Sequence, residues 1–218
     1  MAIALSWAGR LFLTAAVSAA CLSAPAWAAP QVWDFTVFLG DKQIGTHRFQ
    51  FEQRDHESVV TSTARFDAKF LLVYRYRYAH DDEEHWQGEC LSGMQANTDD
   101  NGAKTHVEVV SQTGGLTIRA GGAVEHASGC VMSFAYWNPA ILKQSHLLNA
   151  QTGEYEQVMV ISAGREKITV RGMSIDAKRY ALRSAHMAID LWYSNDDSQW
   201  LALEATTRQG KRLIYRLN

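Results

Sequence analysis

The sequence predicts an all-β fold: a large antiparallel meander sheet curled into an open or nearly closed barrel, with one short helix near residues 139–148. Three observations predict it. Apolar and polar residues alternate with a period of two over most of residues 29–218, as strands with one buried face require. Turn-forming residues punctuate these runs, Asn101-Gly102 being the strongest such pair. Hairpins in sequence favour pairing between neighbours, and roughly a dozen twisted strands in one sheet must curl or split. A two-sheet sandwich is the alternative.

The first 28 residues are set apart from the fold. Arg10 is their only charge, Leu11–Leu22 is an apolar run of signal-peptide length, and Ala26-Trp27-Ala28 places small residues at −3 and −1 of a cut before Ala29. A cleaved export signal over 1–28 and a single β domain over 29–218 follow as expectations; a retained anchor is the first alternative, and lipidation at Cys21 the second, although Ser18-Ala19-Ala20 lacks the large aliphatic residue expected ahead of a lipid-modified cysteine. No later apolar run is long enough to cross a bilayer. The expected location is the periplasm.

The elements follow in order. Trp33, Phe35, Val37 and Leu39 alternate with polar neighbours and turn at Gly40-Asp41-Lys42; Ile44–Phe51 returns, and a turn at Arg54–Glu57 leads into Val59–Phe66. In Phe70–His80, Leu72, Tyr74, Tyr76 and Tyr78 share one face, while Val73, Arg75 and Arg77 share the other. Asp81-Asp82-Glu83-Glu84 is expected to be a four-acid turn, with Trp86–Leu91 running back so that Arg77 faces Gly88 and Arg75 faces Cys90. Further hairpins turn at Asn101-Gly102, Gly114-Gly115 and Gly121-Gly122.

The rhythm breaks at Cys130–Glu154. Asn138-Pro139 opens a helix, Asn as cap and Pro as first helical residue; Ile141, Leu142, Ser145 and Leu148 recur at helical spacing. The two-residue period then resumes, with turns at Ala163–Glu166, Asn195–Ser198 and Arg208–Lys211.

The net charge is −2 and no basic cluster occurs, so nothing predicts a nucleic-acid groove. Beyond the signal two cysteines remain, Cys90 and Cys130. An even pair in an oxidising compartment points to a disulfide worth about 4 kcal/mol, with two buried thiols as the alternative. His80–His85 flanks four carboxylates, but a turn would scatter them, so no metal site is assigned. Asp99-Asp100-Asn101-Gly102 lacks calcium-loop spacing. No G-x-S-x-G, H-E-x-x-H or activated cysteine occurs, so no catalytic residue is assigned and no cofactor is implied.

Aromatic side chains carry the richer signal: seven Trp, eight Tyr and eight Phe. Most belong in a β core. Together with Arg75 and Arg77 they could also line a pocket with apolar walls and a polar mouth. The candidate ligand-binding residues are Tyr136, Trp137, Asn138, Arg75, Arg77 and Trp86.

At FAYWNP (134–139), TDDNG (98–102), LLNAQTGEY (147–155) and LWYSNDDSQWLALE (191–204) the chain resembles a family of exported proteobacterial proteins known as a domain of unknown function. The resemblance runs through nearly all of 29–218. It implies a periplasmic curled sheet of the type used by bacterial lipid and lipoprotein carriers, and no reaction. The expected function is a periplasmic binding or envelope-assembly module for an apolar or amphipathic small molecule. A hydrolase or isomerase with a site at the barrel mouth is one alternative; a structural partner protein using a sheet edge is another.

Overall fold

The computed structural model describes residues 31–70, 74–207 and 210–218. The expected signal peptide therefore lies outside the described residues, as do Leu72, Val73 and the Arg208-Gln209 turn. Among the described residues fifteen strands run as β1 (Gln31–Leu39), β2 (Lys42–Arg54), β3 (Glu57–Phe70), β4 (Tyr74–Gln87), β5 (Cys90–Asp100), β6 (Ala103–Gln112), β7 (Gly115–Ala120), β8 (Ala123–Ser128), β9 (His146–Leu148), β10 (Tyr155–Gln157), β11 (Met159–Val170), β12 (Met173–Arg183), β13 (Ala188–Ser194), β14 (Trp200–Thr206) and β15 (Arg212–Leu217).

Thirteen of them form one antiparallel sheet in the order β11-β12-β13-β14-β15-β1-β2-β3-β4-β5-β6-β7-β8; β9 and β10 pair separately. Every neighbour in the sheet is a neighbour in sequence except β15 and β1, which join the two halves through Phe35↔Leu217 and Val37↔Tyr215. The edges, β8 and β11, do not pair with each other, so the sheet is a curled, open barrel. The inward residues of the strands around this junction, Trp33, Phe35, Val37, Phe49 and Trp200, are buried. Phe35 and Trp200 ring centroids stand 4.5 Å apart.

The chain between the two edges, residues 129–158, fills the hollow. Val131, Ile141, Leu147 and Leu148 are fully buried. Tyr136 packs on Trp200 of β14 and Trp137 on Trp86 of β4. Leu91 N donates to Val131 O at 2.8 Å, and the Cys90–Cys130 disulfide, with Cα atoms 5.0 Å apart, ties the start of the plug to the β4–β5 turn. Gly153, at φ +80°, sits against Ala120, Ile118 and Val107.

Three sequence expectations need correction. The helix near 139–148 is a 3₁₀ helix confined to Pro139–Lys143. Its opening is as expected: Asn138 Oδ1 accepts from Ala140 N at 3.0 Å. Gln144 then turns extended, because His146–Leu148 pairs with β10 and Leu148 bridges Ser133. The acidic quartet is not a turn. β4 runs straight through it, and the chain reverses at Gly88, where φ is +63°. Arg77 consequently faces Asp67 and Arg75 faces Lys69. The turn expected at Ala163–Glu166 is a bulge within β11, taken up by Gly164 at φ +99°. Among the described residues no helix is long and apolar enough to cross a membrane.

Candidate functional site

Because β4 passes unbroken through its acidic run, the run divides by parity. Asp81 and Glu83 point outward: Asp81 pairs with Arg65 at 2.7 Å, and Glu83 with His85 at 3.1 Å. His80, Asp82 and Glu84 point into the barrel. The His80 and Asp82 side chains are 5% and 8% exposed, and Glu84 is buried. Neighbouring strands make room with small residues. In register, His47, Ala64 and His80 lie side by side on β2, β3 and β4; Ser62, Asp82 and Ala96 form the next row, on β3, β4 and β5. Both alanines are fully buried.

Hydrogen bonds link these groups. His80 Nε2 meets Asp82 Oδ2 at 2.8 Å, and its Nδ1 meets Thr98 Oγ1 at 2.9 Å. His47 Nε2 meets Ser62 Oγ at 2.8 Å, and its Nδ1 lies 3.3 Å from the Tyr215 hydroxyl. Trp86 Nε1 donates to Glu84 Oε2 at 3.1 Å. Burial sets the protonation of the cluster. It pushes Glu84 up to about 8, reinforced by the Asp82 charge and opposed by the nearby Ser133 hydroxyl and Trp86 indole. It raises Asp82 as well, against the pull of His80 and Ser62. Burial, together with the charge of His80, pushes His47 down to about 3, so His47 is a neutral imidazole at physiological pH.

A cavity of about 70 Å³ lies between this cluster and the plug, lined by His47, Ser62, His80, Asp82, Glu84 and Trp137 among others. Among the described residues no group of three or more His, Cys, Asp or Glu is placed to hold a metal ion. A larger, open cleft of about 890 Å³ occupies one end of the barrel. Its lining includes Ile44, Phe66 and Tyr78 together with Arg65, Asp67, Arg75, Arg77 and Asp99, which alternate to the opposite face of their strands from Phe66 and Tyr78. The Phe66 and Tyr78 rings stack at 5.2 Å, and Tyr78 stacks in turn on His80 at 6.3 Å, so an aromatic layer separates cleft from buried cluster.

The family model described as "Domain of unknown function (DUF6134)" matches residues 35–218. The chain belongs to this family. The fold of this DUF6134 member is similar to a solved structure, that of the beta-barrel-like protein of domain of unknown function DUF1849 from Brucella abortus. The TM-score is 0.61 at 6% sequence identity, covering 87% of this chain and 94% of that one. At that identity the likeness concerns the fold alone. No curated protein matches the chain.

In this DUF6134 member the six candidate ligand-binding residues fall in three places. Tyr136 and Trp137 line the inner cavity. Burial raises the Tyr136 phenol, and the Tyr136 carbonyl accepts from Tyr193 Oη at 2.6 Å. Asn138 caps the 3₁₀ helix and, with Trp137, borders an open pocket of about 260 Å³ at the β4–β5 end. Trp86 is fully buried beneath Trp137, with ring centroids 5.4 Å apart, and its indole holds Glu84. Arg75 and Arg77 stand at the opposite end, in the cleft lining, where Arg75 pairs with Asp67. Sequence reasoning missed the His47–Ser62 and His80–Asp82–Glu84 groups. The available signal was the alternation His80, Asp82, Glu84, Trp86, which continues the period of the preceding tyrosines.

Proposed function

We propose that this protein is a periplasmic binding or envelope-assembly module that seats an amphipathic ligand in the end cleft. The observation that carries the reading is the cleft itself: about 890 Å³, lined by the apolar Ile44, Phe66 and Tyr78 together with Arg75 and Arg77. Ligand sites commonly occupy roughly 300–1,000 Å³ and combine apolar walls with a few polar groups. The inner cavity is far smaller, because the plug occupies the hollow. An apolar tail would lie on Phe66 and Tyr78, with the polar end of the ligand at Arg75 and Arg77. Native mass spectrometry of protein purified from the periplasm tests this. A bound small molecule or lipid is expected, lost on Ile44→Asp and weakened on Arg77→Glu. Polypeptide mass alone, or a ligand indifferent to both substitutions, would overturn the reading. Recovery of the chain in the periplasm with Ala29 at its N-terminus tests the location.

A second reading is favoured by the two histidine pairs facing the inner cavity. His47 with Ser62 and His80 with Asp82, each at 2.8 Å, are arrangements that hydrolases and isomerases use for proton transfer. Where a triad would orient its histidine with a carboxylate, His47 meets the Tyr215 hydroxyl instead. Turnover of an ester or peptide panel that vanishes in Ser62→Ala, with the fold intact, would favour this reading over the first.

A further inference from the structure

The inner cavity contains two buried polar atoms that the protein leaves without a hydrogen bond. Asp82 and Trp137 both line it, from β4 and from the plug respectively. Asp82 Oδ1 and Trp137 Nε1 have almost no exposed surface and no hydrogen-bond partner among the described residues. Ser62 stands near enough to the Asp82 carboxyl to pull its pKa down, and its oxygen meets His47 Nε2 at 2.8 Å. Leaving a buried polar group unpaired is costly, so two at one cavity point to a guest that pairs them.

We propose that this cavity is a binding site for a hydroxyl group, held between the Asp82 carboxyl and the Trp137 indole N–H. The chemistry of the two atoms selects the class. The indole only donates, so the guest must accept. An ionised carboxylate only accepts, so the guest must also donate. A carbonyl oxygen or an ammonium meets one demand, whereas a hydroxyl meets both. It also remains suitable if Asp82 carries a proton, because its oxygen can then accept from both sides. Size limits the source. One water needs about 10–15 Å³ of such space, so a cavity of about 70 Å³ admits a small water cluster or a compact polyol and no lipid tail. The site is separate from the end cleft and depends on neither functional reading above.

The test is a crystal structure of the residue 29–218 protein, purified and crystallised without glycerol or other polyols, at a resolution that shows ordered water. Density is expected at about 2.7–3.2 Å from both Asp82 Oδ1 and Trp137 Nε1. Single-atom density with no added mass in the native spectrum assigns water. Extended density with a matching added mass assigns a retained polyol. In Trp137→Phe the guest should lose occupancy while Asp82 stays in place. A dry cavity in well-ordered wild-type crystals would overturn the proposal, as would a protein group found bonded to either atom.

Discussion

His80 Nε2 and Asp82 Oδ2 meet at 2.8 Å on a single strand, two residues apart, with both side chains inside the barrel. Only a strand that continues through the acidic run can bring them together this way, because residues i and i+2 of a strand share a face. The neighbouring Asp81 points outward to Arg65, in a pair whose side chains are half exposed. Asp82→Ala is therefore expected to destabilise the protein by about 3 kcal/mol, since it leaves the buried His80 Nε2 without its partner while Nδ1 keeps Thr98. Asp81→Ala should cost at most about 1 kcal/mol, as for an exposed ion pair. Urea midpoints of the two variants check the contrast; equal losses would place both residues in similar surroundings.

Glu84 makes stability fall as pH rises. Its ordinary value of 4.5 is pushed up to about 8 by burial and the Asp82 charge. Between those values the folded protein keeps a proton that the unfolded chain releases, so stability declines by up to about 1.4 kcal/mol per pH unit. Asp82, also raised by burial, acts in the same sense. His47 opposes them lower down: pushed from 6.5 to about 3, it costs stability as pH drops below 6.5. Above pH 6.5 His47 no longer contributes, and Glu84 acts together with Asp82 and with His85, whose imidazole, against its partial burial, is raised by Glu57 and Glu83. Glu84→Gln should remove the Glu84 share and make the stability profile from pH 6.5 to 8 less steep, while keeping the Trp86 hydrogen bond. A slope unchanged from wild type would contradict this account.

The disulfide fastens the plug. Cys90 and Cys130 are 40 residues apart, and closing a loop of that length stabilises by about 4 kcal/mol in the chain-entropy model. The Cys90→Ala/Cys130→Ala pair should lower the urea midpoint accordingly. Hydrogen exchange should rise first at the Leu91 and Leu148 amides, which bond to Val131 and Met132 of the plug.

Gly153 seats the far end of the plug. At φ +80° a side chain is strained, and an added Cβ would stand 2.5 Å from Ala120 Cβ. Gly153→Ala is expected to cost about 2 kcal/mol or more. Adding Ala120→Gly should relieve the clash and leave the backbone strain, restoring part of the loss. Full rescue, or none, would assign the cost to one cause alone.

Much of this fold is legible in the sequence because a strand's face is a local property. The alternation of Trp33, Phe35 and Val37, and the Asn101-Gly102 turn with φ of +53° and +96°, need no distant partner to be interpreted. So too the Asn138 cap, whose carbonyl oxygen reaches only two residues along the chain. The same sequence determined an all-β domain, a break in rhythm at Cys130 and a cysteine pair. What it left open was where charge belongs. Four acids in a row suggest solvent, and nothing local shows that Ala64 and Ala96, distant in sequence, leave room for His80 and Asp82. Ser145–Leu148 could have continued a helix until β10 offered it a pairing edge. Tertiary structure decided both cases for one physical reason: the energies of a buried carboxylate or an unpaired backbone depend on what lies across the barrel, and residues next in sequence do not report it.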